Sequence, residues 1–420
     1  MKKILLICLS LILVSGVVAG CSSKGTSGTS NNDDVVTLNM FQFKVEIADQ
    51  LQEMIKEFEK EHPNIKIKLE TVGGGADYGA ALKAKFASGE EPDIFNNGGF
   101  KELALWKEHL ADLSNEPWVE HVLPIGKVPM TDADGKLYGM PLNLEGYGFI
   151  YNKTLFEKAG ITKTPTTLTE LKDAAEKLKS NGITPFAAGY GEWWVIGQHL
   201  MNIPFAHESD PVAYIEGLND GQQKFAGNKV FEQFKDLIDT EIKYGNKNPI
   251  TTDYNTQVTL FASGKAAMLQ QGNWTENMIY KINPDMKMAF LPIPINDEEG
   301  MDRLPIGVPN NWVLNKDSKH LEEAKTFLNW MVSSETGKKY ITEEFAFIPA
   351  FDNIEPTGVG DLGKSILEYS KADKTIPWTW FRWPDGANKE FAATIQGYAA
   401  GKIDYETALT KFQKTWDDLK

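Results

Sequence analysis

The chain has 420 residues, with 43 Lys and Arg against 58 Asp and Glu, so its net charge is −15. So acidic a chain is a poor partner for nucleic acid or for an anionic lipid surface. Its two cysteines, Cys8 and Cys21, both lie near the start, so the body beyond them has neither disulfide nor thiol chemistry and must be held by its core. At roughly 100–200 residues per domain, the length fits two or three domains.

Lys2 and Lys3 form a positive start, and Ile4 to Val18 is an apolar run too short to span a bilayer comfortably. The small residues of Val18-Ala19-Gly20 then meet Cys21, an order that resembles a bacterial lipoprotein signal. Residues 1–20 are expected to be a signal peptide, and Cys21 to be lipidated. Ser22 to Asp34 is polar and rich in Gly and Ser, a disordered tether over 21–34. Two acyl chains anchor stably where one does not, which places the body on the outer face of the cytoplasmic membrane of a Gram-positive type bacterium.

The body opens with an apolar strand over Val35–Phe43, and Ile47, Leu51, Met54, Ile55 and Phe58 then share one helical face. Ile65, Ile67 and Leu69 alternate as a strand; a helix near Tyr78–Ser88 and a strand over Pro92–Asn96 follow. Strand, helix, strand, helix, strand predicts a parallel sheet with right-handed crossovers. A second α/β rhythm begins after Pro141–Asn152. In its helix Thr167 is the cap, Glu170 completes a capping box, Leu168, Leu171, Ala175 and Leu178 face the core, and Gly182 ends the element. Helices near 228–243, 255–263 and 274–282, strands at Met288–Pro292 and Trp312–Lys316, and a helix over 318–331 lead into a mostly helical end.

Several signals carry no chemistry. Gly358–Gly363 spells G-x-G-x-x-G without a preceding apolar strand. Asp132–Gly135 lacks the ligands of a calcium loop and reads as a turn. The six histidines show no metal spacing, no G-x-S-x-G is present, and adjacent glutamates do not define a glycosidase pair. No metal, cofactor or catalytic residue is expected.

The stretches FEKEHPNIKI, FASGEEPDIF, DGKLYGMPLNLEGYGFIYNKTLFEKAGI, PTTLTELKDAAEKL, FASGKAAMLQQGNW and VPNNWVLNKDSKHLEEAKTFLNWMVS follow one another along the body. Together they resemble the family 1 extracellular solute-binding proteins, the carbohydrate receptors of bacterial ABC importers. The resemblance implies an α/β fold of two lobes (periplasmic-binding-protein-like, type II). Each lobe would be a mainly parallel sheet flanked by helices, and the C-terminal part helical. The N-terminal lobe would take 35–145 and 290–332 and the C-terminal lobe 146–289 and 333–420, with crossings near Leu144–Gly146, Met288–Leu291 and Met331–Ser334. It implies a monomer that closes on its ligand and docks on the permease subunits of the importer.

Sugars present apolar C–H faces and a rim of hydroxyls, so a receptor needs flat rings and planar polar groups. In open α/β sheets such groups lie beyond the carboxyl ends of strands. That rule selects Phe43, Lys44 and Glu46, then Asp77 and Tyr78, then Asn96 and Asn97, with Glu145 and Tyr147 at the first crossing. In the second half it selects Trp193 and Trp194 after TPFAAGY, and Asn273 and Trp274 in QGNW, where Trp274 matches a ligand-stacking tryptophan of the family. The aromatic run WTWFRWPDG, too rich in adjacent rings and prolines for a strand, offers Trp378 and Trp380 as platforms and Arg382 and Asp385 for hydroxyls. LEGYGFIYNK and WTWFRWPDG are similar to segments of oligosaccharide receptors such as those for α-galactosides. A secreted carbohydrate-active enzyme would share the aromatic loops, and a polyamine, metal chelate or peptide would suit the same fold.

Overall fold

A computed structural model describes residues 35–420. The expected signal peptide, the expected lipidation site Cys21 and the expected tether lie outside the described residues. Eleven strands are described: β1 (Val36–Gln42), β2 (Ile65–Thr71), β3 (Ile94–Asn97), β4 (Met140–Pro141), β5 (Glu145–Asn152), β6 (Thr184–Ala187), β7 (Ala266–Gly272), β8 (Met288–Leu291), β9 (Leu304–Gly307), β10 (Asn311–Leu314) and β11 (Thr375–Ile376).

They form two sheets. The first has the order β2-β1-β3-β10-β4. Its β1 pairs in parallel with β2 and β3, as the strand–helix–strand rhythm predicts, while β10 lies antiparallel between β3 and β4. The helix Ala48–Glu61 buries Leu51, Met54, Ile55 and Phe58, a stripe at intervals of three and four that suits one helical face. That stripe joins Phe41, Phe95, Trp312 and Phe327 in one core.

The second sheet runs β11-β9-β5-β7-β6, with β8 also on β5. It is not mainly parallel as expected. Only β6 with β7 and β11 with β9 are parallel, and β7, β8 and β9 all oppose β5. The reason is topological. A crossover helix returns a strand in the same direction, whereas β5 arrives directly from the first sheet with no helix before it. Along β5, Tyr147 and Phe149 face one core and Ile150 the other, the alternation of a strand buried on both faces.

Two crossings fall away from their expected places. β9 pairs with β5, and Ile293, Ile295 and Met301 join the second half's core, so the return lies between Gly307 and Asn311. Phe345, Phe347, Phe351 and Ile354 pack with the first core, and Val359 with the second half, so the last passage follows Ile354. Strand pairing and apolar burial decide both; the motif order located neither.

Local chemistry explains several elements. Thr167 accepts from the Glu170 N–H at 3.3 Å, but the Glu170 carboxylate turns back to the Thr166 N–H and hydroxyl rather than to Thr167. The G-x-G-x-x-G run holds a carboxylate of the protein itself. Glu276 Oε1 accepts from the Leu362 N–H at 3.0 Å, at the start of the helix Asp361–Lys371, and a Cβ on Gly360 would lie 2.3 Å from that oxygen. Burial pushes the Glu276 carboxyl up to about 7. The C-terminal helices Ala387–Ala399 and Tyr405–Leu419 pack Phe391, Phe412 and Trp416 against Phe205 and Phe225.

Glu241, on the helix Lys229–Tyr244, is buried and accepts from the Tyr190 hydroxyl at 3.0 Å, while its other oxygen has no partner. Burial pushes its carboxyl up from 4.5 to about 8. The native state therefore holds a proton that the unfolded chain releases above pH 4.5, and this contribution to stability declines as pH rises toward 8. Urea unfolding across that range is expected to show the decline. Glu241→Gln removes this group's share, at most about 1.4 kcal/mol per pH unit; a variant with the wild-type slope would contradict the assignment.

Candidate functional site

The loops that leave both sheets converge on one cavity of about 800 Å³. From the first half come Phe43, Lys44 and Glu46 after β1, the Gly73–Tyr78 loop after β2, and Glu145, the first residue of β5. From the second come Trp193 and Trp194 after β6, Trp274 after β7, and Trp378, Trp380 and Asp385 after β11. Convergence beyond the strand ends is the usual arrangement of open α/β folds.

One wall is aromatic. Trp378 and Trp380 lie 4.5 Å apart between ring centroids, and Trp194 meets Tyr254 edge-on at 5.1 Å. His199 sits among them, 5.1 Å from Trp274 and 5.3 Å from both Trp194 and Trp380. Trp274 lies directly over the Gly272 backbone, where a Cβ would come within 2.0 Å of the indole. Its Nε1–H donates to Gln271 Oε1 at 3.1 Å, which fixes the plane of the ring.

Charged groups border these rings, and several of their carboxylates are engaged. Lys44 Nζ and Glu145 Oε1 are 2.5 Å apart with both side chains buried, and Asn143 also donates to Glu145 at 3.2 Å. The Lys44 ammonium lies within about 6 Å of the Phe43, Trp274 and Phe347 ring centroids, near enough for cation–π attraction. Glu46 accepts from the Tyr254 hydroxyl at 2.9 Å. Burial raises the Glu46 carboxyl, against the pull of Lys44. Glu102 accepts from the Gly98 N–H at 2.7 Å, and burial raises it to about 7.

Contacts span the cleft at its rim. Asp77 caps the helix Tyr78–Ser88 through the Ala80 N–H and pairs with Lys389 of the second half. Burial raises the Asp77 carboxyl, but the bonds from Lys389 and Ala80 outweigh it and leave the group below the usual range. Lys83 and Asp385 pair at 2.8 Å, and the Arg382 guanidinium lies 4.0 Å from the Phe100 ring centroid. Phe381 reaches so close to the first half that a Cβ on Gly98 would fall 2.2 Å from its ring.

Of the expected site residues, Phe43, Lys44, Glu46, Asp77, Tyr78, Glu145, Trp193, Trp194, Trp274, Trp378, Trp380 and Asp385 line the cavity. Asn96, Asn97, Tyr147, Asn273 and Arg382 do not. Asn96 accepts from the Phe43 N–H at 3.2 Å and Asn97 from the Gly99 N–H at 2.8 Å, so both organise loops behind the wall. Asn273 accepts from the Gly146 N–H at 3.1 Å. Tyr147 stacks under His199 at 4.6 Å and donates to its backbone oxygen at 2.9 Å. Arg382 is held on Phe100 at the rim.

Sequence reasoning missed Lys83, Glu102, Gln198, His199, Tyr254 and Lys389, all at the cavity. His199 arrives through a π-helical turn over Val195–Leu200, five residues beyond Trp194, a period that no strand or α-helix pattern flags. Tyr254 follows the helix cap Asp253 and looks like an ordinary core residue in the sequence. Among the described residues, no cluster of three or more His, Cys, Asp or Glu is arranged for a metal.

Comparison with known proteins agrees with this architecture. Residues 44–338 match the family model for bacterial extracellular solute-binding proteins. The Multiple sugar-binding protein of Streptococcus mutans is 27% identical over 340 residues, 78% of each chain. The melibiose/raffinose/stachyose-binding protein MelE of Bacillus subtilis is 27% identical over 353 residues, 81% of this chain and 79% of the relative. Among solved structures, the solute-binding protein RafE in complex with raffinose superposes with a TM-score of 0.79 at 24% identity, over 92% of this chain and 100% of that one. A sugar transporter protein from Bacillus licheniformis in complex with stachyose gives 0.75 at 28%, with the same coverage. With well over half of its length matched, and with two sheets facing one cavity, the chain belongs to the bacterial extracellular solute-binding proteins.

Proposed function

We propose that this protein captures an uncharged oligosaccharide between its two lobes and delivers it to the permease of an ABC importer, while a lipid on Cys21 holds it at the outer face of the cytoplasmic membrane. The observation that carries the reading is that Trp194, Trp274, Trp378 and Trp380 line, together with engaged polar groups, one cavity of about 800 Å³. Rings bury sugar C–H faces with little side-chain freedom to lose, and a cavity in the range of ordinary ligand pockets accepts a chain of sugar units. Two similar proteins point the same way, the melibiose/raffinose/stachyose-binding relative and the stachyose complex.

Capture rather than cleavage follows from the carboxylates. Hydrolysis needs one carboxyl poised as acid and another free as base or nucleophile. Here Glu145 is committed to Lys44, Glu46 to Tyr254, Asp77 to Lys389 and Asp385 to Lys83, so Glu102, raised by burial to about 7, has no free carboxylate to act with it. The sugar is expected to be returned intact. Delivery is to a separate permease, and the tether keeps the receptor near it at high effective concentration; none of the described helices is long and apolar enough to cross a membrane.

The lobes proposed here follow the two sheets, with the first half ending near Ile354. A sugar that touches both walls only when they face each other shifts the population toward closure. The protein acts as a monomer, each copy holding a complete site.

Replacing Trp274 with Ala removes a fixed platform and is expected to weaken binding by about 1.5 kcal/mol or more, roughly tenfold, with the fold retained. Calorimetry against the wild-type ligand would exclude the platform role if affinity is unchanged. The rim pairs give a second expectation. The ligand is uncharged, but closure brings Lys83 to Asp385 and Lys389 to Asp77, so wild-type affinity should fall several-fold between roughly 0.01 M and 1 M salt as the pairs are screened. The double variant Lys83→Ala/Lys389→Ala should bind more weakly at low salt and lose most of that dependence. Equal salt slopes in the two proteins would contradict an electrostatic rim.

A further inference from the structure

His199 is a polar group in the aromatic wall that the reading above leaves unused. It is 6% exposed and lines the cavity. Its imidazole lies flat on the Tyr147 ring, 4.6 Å between centroids and 19° between planes, and Trp194, Trp274 and Trp380 surround it. Tyr147 is itself pinned, since Asn202 Nδ2 donates to its hydroxyl at 2.9 Å. The ring is therefore held in orientation by packing alone, for neither imidazole nitrogen has a hydrogen-bond partner within the protein. Nδ1 is fully enclosed. Nε2 is not among the enclosed, unpartnered atoms, which leaves it as the nitrogen open to the cavity.

Burial, with the Lys44 ammonium adding to it, pushes the imidazolium down to about 3, so the ring is neutral and carries one proton. An orphaned buried N–H is rarer in proteins than an under-used acceptor. The proton accordingly belongs on Nε2 and the bare lone pair on enclosed Nδ1. Neutral imidazole in this tautomer presents a single donor to the cavity.

Resting on the sugar-binding reading, we propose that His199 is a specificity-determining residue whose Nε2–H donates a hydrogen bond to a ligand oxygen from within the aromatic wall. The rings around it take the apolar face of one sugar unit, and His199 reads the position of an oxygen at that face. A donor held in a dry, aromatic setting discriminates strongly, because a ligand that offers no acceptor leaves a desolvated N–H unpaired. The Lys44–Glu145 pair borders the same cluster, with the Lys44 ammonium 6.0 Å from the Trp274 ring centroid, so a neutral donor on His199 complements a charged group close by.

Two measurements test this. Long-range ¹⁵N–¹H spectra of the ligand-free protein are expected to show the Nε2–H tautomer of His199 unchanged from pH 8 to pH 5; an Nδ1–H tautomer, or titration in that window, would overturn the assignment without reference to any sugar. Calorimetry with melibiose, raffinose and stachyose then compares wild type, His199→Phe and His199→Gln. Phe keeps the stack on Tyr147 and removes the donor, and should lose about tenfold or more in affinity; Gln restores an N–H and should recover part of it. His199→Phe binding as tightly as wild type, with an unchanged melting temperature, overturns the proposal while leaving the sugar reading intact. Wild type that binds neither these three sugars nor any other uncharged saccharide of a broad panel would instead contradict the sugar reading on which the proposal rests.

Discussion

The site is organised around one buried ion pair. Lys44 follows the first strand of the first sheet, and Glu145 opens the central strand of the second. Their side chains are 2.5 Å apart and shielded from solvent. Two charges out of water are tolerable only in close mutual contact, and removing one strands the other at a cost of about 3–5 kcal/mol. The pair therefore fixes the loop after β1 against the start of β5, where the chain first passes from one sheet to the other. Gln42 reinforces it by accepting from the Lys44 N–H at 2.6 Å and donating to the Lys44 carbonyl at 2.9 Å.

With that point fixed, the walls are free to differ. The second half contributes rings whose planes are set by neighbours: Trp274 by Gln271 and Gly272, and His199 by Tyr147. The first half contributes Lys44, Glu46, Asp77 and Glu145, each already held by a partner. Exposed pairs at the rim, Lys83 with Asp385 and Lys389 with Asp77, join the two halves. Each contributes little alone.

Much of this was legible in the sequence. Apolar spacing at 47–58 and alternation at 65–69 gave the first parallel unit, and the ordered motifs implied two lobes around a cleft. Most of the residues selected by the rule that ligands sit beyond strand ends do line the cavity. The rule failed where a strand-end polar residue serves its own backbone, as Asn96 and Asn97 do. Within WTWFRWPDG, Trp378 and Trp380 were selected and cluster with His199, while Trp383, not selected, packs on Phe205 at 4.6 Å and also borders the cavity. The mixed second sheet stayed hidden because local periodicity sets a strand's faces but not its direction relative to its neighbours. The rim pairs join residues more than 300 positions apart, and no local pattern encodes such a contact.

The central claim is that flat rings and engaged polar groups from two halves enclose an uncharged oligosaccharide. Thermal unfolding with and without a panel of mono-, di- and trisaccharides tests it most directly, because a ligand of the native state at about 100 times its Kd adds roughly 2.7 kcal/mol. At least one uncharged oligosaccharide is predicted to raise the melting temperature by several degrees. A melting temperature that no member of the panel moves would contradict the account.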